Sequence, residues 1–210
     1  MLCFLCCNVR RRYGFGVKNT NQKQVLDAKT TLYYADQSNT SQLDYIIQDI
    51  GRESLDVIID DGSHIPWHQV ATFDVLFREL LSPGGTYIIE DIETSYWSSK
   101  RATLYQYQIP NAGVGQSGSV VERFKSIVDV INRKFFARPD FSVIGKQKVD
   151  HLVSSISFSR NCIIIEKMNP QDGWSKKTLK TKNYKNSGYV NRLATDLFVT
   201  EKEKPISGLP

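Results

Sequence analysis

Apolar positions along this chain change period several times, and each change marks an element. Residues 31–36, TLYYAD, carry β-favouring side chains up to the polar turn Gln37-Ser38-Asn39 and predict a short strand. Leu43, Ile46, Ile47 and Ile50 then follow the spacing of one helix face, with Ser41 as the expected amino-terminal cap and Gly51 as the stop. From Leu55 to Ile59 the chain is apolar except at Asp56 and runs straight into DDGSH, which suits a strand buried in a parallel sheet. Beyond Pro66 the helix spacing returns at Val70, Phe73, Phe77 and Leu80, and SPGG at 82–85 ends it.

A further strand, Thr86 to Ile89, delivers Glu90 and Asp91 at its end. Val121, Phe124, Val128, Ile131 and Phe135 predict one long helix from Ser119. Leu152 to Phe158 and Cys162 to Ile165, parted by Ser159-Arg160-Asn161, predict a hairpin. This alternation predicts an α/β, Rossmann-like domain over 31–170, a mostly parallel sheet with a carboxy-terminal antiparallel hairpin. Sites in such sheets form at the carboxyl ends of strands, where both acidic clusters lie. Residues 1–30 are expected to be irregular or truncated. The stretch 171–210, rich in Lys, Asn, Ser and Thr, reads as a polar tail or extension.

With 210 residues, 40% of them hydrophobic, the chain can build one ordinary core. Its net charge of +5 gathers toward the two ends without a nucleic-acid motif, so no nucleic-acid partner is expected. No apolar run approaches the ~18 residues of a membrane-spanning helix, and the expected location is cytoplasmic. Cys3, Cys6 and Cys7 form no disulfide framework. Beside the basic residues that follow, they suit weak attachment to a membrane surface; an unremarkable or misassigned amino terminus is the competing reading.

The chemistry lies in the acids that end the two apolar strands. Asp61, Glu90 and Asp91 would raise one another's pKa if brought together, unless a cation neutralised them. All-oxygen ligation favours Mg²⁺, Ca²⁺ or Mn²⁺ over zinc. The blander alternative is that they are polar residues closing buried strands. His64 and His68 do not make a zinc helix motif, because Pro66 intervenes and Ile65 stands where glutamate is needed. His68 is expected to play a structural part, and Tyr96 and Trp97 to wall a pocket.

Residues 56–97, DVIIDDGSHIPWHQVATFDVLFRELLSPGGTYIIEDIETSYW, resemble the metal-dependent sugar O-methyltransferases of macrolide antibiotic biosynthesis, class I enzymes that use S-adenosylmethionine. DDGSH, PGG and IEDIETSYW stand in that family's order and spacing. Weaker similarity runs from ADQSN to CIIIEK, so that roughly two thirds of the chain is covered. The resemblance implies that Asp61, Glu90 and Asp91 hold Mg²⁺ or another hard divalent cation and that His64 is the general base. It implies that Asp36 and Gln37 face the adenine of S-adenosyl-L-methionine, with Asp60 also on the cofactor side. The implied substrate is a small molecule offering a hydroxyl, its specificity set chiefly by residues 98–118.

The chain departs from that pattern at its amino terminus. A class I enzyme opens with a strand and a glycine-rich turn, and here only Gly14-Phe15-Gly16 is near, too close to TLYYAD to leave room for them. The first strand and its turn are expected to be missing. A non-catalytic methyltransferase-like module therefore remains an alternative reading, as does a metal-dependent hydrolase built on the same carboxylates.

Overall fold

The computed structural model describes residues 3–8, 11–16, 22–97, 101, 109–135, 140–144 and 148–171. Between Tyr34 and Glu90 the elements follow the order that the sequence periods predict. β4 (Thr30–Tyr34) leads through the Gln37 turn into α1 (Thr40–Ile50), which buries Leu43, Ile46 and Ile47. Its cap is Asn39, not Ser41: the Asn39 side chain accepts from the backbone amides of Ser41 and Gln42. Gly51 ends the helix at a φ of 98°, open to glycine at no steric cost.

β5 (Leu55–Asp61) leads to α2 (Pro66–Glu79), which has proline in its first turn, where no amide is needed. β6 (Leu81–Glu90) begins directly after α2 and absorbs SPGG. Leu55 pairs with Leu81 but Val57 with Thr86, so SPGG bulges out of the ladder. The buried Lys167 fastens this junction, its ammonium donating to the carbonyls of Leu81 at 2.6 Å and Arg78 at 3.0 Å.

The long helix expected from Ser119 is two short ones, α3 (Val120–Lys125) and α4 (Ile127–Ile131), with a break at Ser126. Val120, Val121, Phe124 and Ile127 are buried, whereas Val128 and Phe135, expected on the same face, are exposed. α2 touches both α1 and α3. Phe73 lies at the centre of the core, its ring 4.5 Å from that of Phe77, 5.4 Å from Tyr87 and 5.0 Å from Phe124. Such aromatic contacts add about 0.5–1.5 kcal/mol each beyond burial alone.

β7 (Val153–Ser159) and β8 (Cys162–Lys167) pair antiparallel across the turn Arg160-Asn161. Three more strands run through residues 1–30, where an irregular segment was expected: β1 (Cys3–Asn8), β2 (Arg11–Gly16) and β3 (Gln22–Asp27). The sheet order is β3-β4-β2-β1-β5-β6-β8-β7. Among these pairs only β2–β4 and β5–β6 are parallel. The sheet is therefore mixed, which corrects the expectation of a mostly parallel one. The reason lies in β1, which sits antiparallel between β2 and β5.

The chain divides into one compact unit, Met1–Asn169, and a second, Pro170–Pro210. Apart from Gln171, the expected tail at 171–210 lies outside the described residues. No helix among the described residues is long and apolar enough to cross a membrane.

Candidate metal centre

The pleat of a strand sends successive side chains to opposite faces, and β5 ends on two acids. Asp60 points inward and is fully buried, while the Asp61 side chain is 42% exposed. β6 repeats the pattern, with Ile89 buried and Glu90 exposed. The two loops beyond these strands turn sharply, and each places a non-glycine residue in the left-handed region, His64 at φ 56° and Asp91 at φ 52°. That conformation costs about 1 kcal/mol or more per residue and persists only where surroundings impose it. One such restraint is visible: the hydroxyl of Thr94, itself buried, donates to the His64 carbonyl at 2.6 Å.

The consequence is a group of three. Nε2 of His64 stands 3.8 Å from Asp61 Oδ1 and 3.7 Å from Asp91 Oδ2, and the three candidate ligand atoms lie within 4.8 Å of one another. Those separations exceed a hydrogen bond, and they match donors arranged around one ion. At the ~2.0–2.6 Å metal–oxygen distances of Mg²⁺ and Ca²⁺, neighbouring ligands of a six-coordinate ion stand ~3–3.7 Å apart and opposite ones ~4–5 Å. The other ring nitrogen, Nδ1, is buried and has no hydrogen-bond partner among the described residues.

Glu90 is not in this group. Its side chain is exposed, its cross-strand neighbour is Cys162, and its carbonyl accepts from Nε2 of the buried Gln69 at 3.1 Å. The group that the fold assembles is therefore two carboxylates beside an imidazole, and the carboxylate pair accommodates Mn²⁺ as readily as Mg²⁺.

The residues expected on the cofactor side behave differently from one another. Asp36 is exposed and closes its own turn, accepting from the Ser38 amide at 2.8 Å and hydroxyl at 2.7 Å. Gln37 and Asp60 are buried against each other. Nε2 of Gln37 donates to both Asp60 oxygens, at 3.0 and 3.2 Å, and its Oε1 accepts from the Ser63 amide at 3.0 Å. Gly62 is required there, since a Cβ would sit 2.4 Å from Gln37 Oε1. Burial pushes the Asp60 carboxyl up to about 7; hydrogen bonds from Tyr87, Gln37 and the Gly62 amide oppose that shift, and the charge of Asp61 adds to it. This network joins the loop after β4 to the loop after β5.

His68 hydrogen-bonds Ser63 Oγ through Nδ1 at 2.7 Å, and burial lowers its pKa against the pull of Asp36. An open cavity of about 380 Å³ is lined by Glu93, Tyr96, Trp97 and Arg101, the guanidinium lying 5.1 Å from the Trp97 ring. Within the expected specificity region, residues 98–100 and 102–108 lie outside the described residues. Sequence reasoning missed Thr94, Gln69 and Asn161. Asn161 donates to Asp91 Oδ1 at 2.7 Å from a turn read only as a turn.

No family model matches the chain. It is 31% identical over 158 residues to the 8-demethyl-8-alpha-L-rhamnosyl tetracenomycin-C 2'-O-methyltransferase of Streptomyces olivaceus, covering 75% of this chain and 38% of that protein. Against the mycinamicin VI 2''-O-methyltransferase of Micromonospora griseorubida the identity is 28% over 161 residues, 77% of this chain and 37% of the relative. Among solved structures, MycE methyltransferase from the mycinamycin biosynthetic pathway, in complex with Mg and SAH, superposes with a TM-score of 0.60 at 26% identity. That match covers 87% of this chain and 42% of the other. The chain thus spans less than two fifths of the length of these two curated relatives.

Proposed function

The homologues of this chain are sugar O-methyltransferases of the macrolide type, and from that premise we propose that it is the metal-binding part of an S-adenosylmethionine-dependent, divalent-metal-assisted O-methyltransferase acting on a hydroxyl of a sugar or other small molecule. The observation that carries this reading is the convergence of Asp61, His64 and Asp91 within 4.8 Å at the ends of two adjacent parallel strands. In this reading 31–170 is the methyltransferase-like domain, with β7 and β8 as its terminal hairpin, and its setting is the cytoplasm. The cysteines near the amino terminus are a separate proposal, weak attachment to a membrane surface, which acyl labelling of Cys3, Cys6 and Cys7 would test.

The donor set fits a hard divalent cation held by Asp61 and Asp91. Glu90 is proposed as the third carboxylate: it ends β6 directly before Asp91, and its side chain is exposed. When bound, the cation polarises an acceptor hydroxyl and S-adenosylmethionine carries the methyl group. The work of the chain itself is proton transfer. Nε2 of His64 faces both carboxylates, so a proton taken up there lies between two negative charges. The ring owes its orientation to the left-handed backbone and to Thr94 rather than to a partner at Nδ1.

For the cofactor, Asp36 and Gln37 are proposed to form the adenine side, with Asp60 also on the cofactor side. The described residues fit it only in part. Asp36 is open, Gln37 and Asp60 already satisfy each other, and the strand beside β5 is antiparallel, with no glycine turn following a parallel strand there. The antiparallel β1 favours a second reading, a module that keeps the metal centre without methyl transfer.

Calorimetric titration of the full chain with S-adenosylhomocysteine, with and without Mg²⁺, distinguishes the two. Binding that tightens with Mg²⁺ is expected of the methyltransferase. No heat in either condition would leave the module.

A further inference from the structure

Asp91 occupies the cap position of the 3-10 helix Ile92–Tyr96, where an aspartate ordinarily turns its carboxylate back onto the free amides of the first turn. It makes no such bond. The acceptor comes instead from the turn between β7 and β8: Oδ1 of Asn161 takes the Glu93 amide at 2.9 Å. The other end of the same amide group, Nδ2, donates to Asp91 Oδ1 at 2.7 Å. Since the Glu93 amide can only donate, the orientation of the Asn161 group follows from it. The sheet register brings these residues together, because Glu90 pairs with Cys162 across β6 and β8.

The result is a division of labour within one carboxylate. Asn161 does the capping that Asp91 would otherwise do and holds Oδ1, leaving Oδ2 as the atom 3.7 Å from His64 Nε2. Asn161 stands at φ 59°, a left-handed position that asparagine tolerates better than most residues. We propose that Asn161 is a positioning residue of the metal centre, which fixes the Asp91 carboxylate so that Oδ2 is presented to the cation. The inference rests on reading Asp61 and Asp91, beside His64, as a divalent cation site.

The test uses the full chain and MnCl₂ alone, with free Mn²⁺ followed by its electron paramagnetic resonance signal and metal-free melting recorded beside each titration. Asn161→Gly keeps the left-handed turn and removes only the amide. Its Mn²⁺ dissociation constant is expected to rise about 10- to 100-fold, as for other groups that orient a ligand, with the metal-free melting temperature within roughly 3 °C of the wild type. In an Asp91→Ala background the same substitution should change affinity less than about twofold, because a residue acting through Asp91 has nothing left to hold.

Equal losses in both backgrounds, or a large drop in metal-free melting, would assign Asn161 to the turn alone and overturn the proposal. Unchanged affinity in Asn161→Gly would overturn it too, while leaving the metal reading intact if Asp61→Ala abolishes binding. If Asp61→Ala binds Mn²⁺ as the wild type does, the metal reading itself fails and the inference falls with it.

Discussion

At the scale of single residues, His64 carries the mechanistic weight. Replacing it with Gln removes the proton acceptor at Nε2 but leaves Asp61 and Asp91 in place. In a form active in methyl transfer, the rate should fall ~10²- to 10⁴-fold, with Mn²⁺ binding and melting temperature little changed. Near-full turnover in that variant would remove His64 as the base. Asp60 gives a prediction of opposite character, because its carboxyl is pushed up to about 7 by burial. A raised pKa means that the folded state holds the proton more tightly than the unfolded state. The stability associated with it is present below about pH 4 and is lost as pH rises through 7. Asp60→Asn cannot titrate. Measured from pH 5 to 8, its melting temperature should therefore gain on the wild type as pH rises; a constant difference would show that Asp60 does not titrate in that window.

Among the elements, legibility followed the range of the interactions that decide each one. α1, α2, β5 and β6 were readable because their apolar spacing and stop signals are local, and the acids that end β5 and β6 were readable with them. Asn39, not Ser41, caps α1: its side-chain oxygen accepts from the amides of both Ser41 and Gln42, and Ser41 already lies two residues on, inside the first turn. The expected helix from Ser119 divides at Ser126, whose φ and ψ stay helical, so that periodicity alone gives no warning. Glu90 and Asp91 were readable as acids delivered by one strand, but that Glu90 closes β6 while Asp91 stands beyond it in a left-handed turn was not, because backbone conformation there has no local apolar signal. Asn161 was out of reach altogether, since only the register of β6 against β8 brings it to Asp91. Where α2 meets the sheet, Phe73 touches three buried rings. Phe73→Ala should cost about 3–5 kcal/mol by chemical denaturation, and a loss below about 1 kcal/mol would mean that the packing differs.

At the scale of the whole molecule, the arrangement depends on β1. In the order β3-β4-β2-β1-β5-β6-β8-β7 it is, among the described residues, the strand that joins the β3-β4-β2 group to the strands that carry the metal centre. Nothing in the apolar pattern announced this, because the pairing partners of residues 3–8 are residues 11–16 on one side and 57–61 on the other, and orientation is settled only when both are in place. A strand paired on both sides cannot accept proline: the ring removes an amide from the ladder and crowds its neighbour, at a cost of ~3 kcal/mol or more in regular structure. Leu5 pairs with Gly14 on one flank and Ile59 on the other. Leu5→Pro should therefore lower the melting temperature strongly and, by loosening β5, weaken Mn²⁺ binding at Asp61 as well. Val25→Pro is the matched control. Val25 belongs to the edge strand β3, is 65% exposed and lies beside a break in the register, so proline there should be tolerated far better. The comparison is made by thermal unfolding and Mn²⁺ titration of both variants. If Leu5→Pro melts within a few degrees of Val25→Pro and binds Mn²⁺ equally well, β1 does not bridge the sheet, and the strand beside β5 must be supplied in another way.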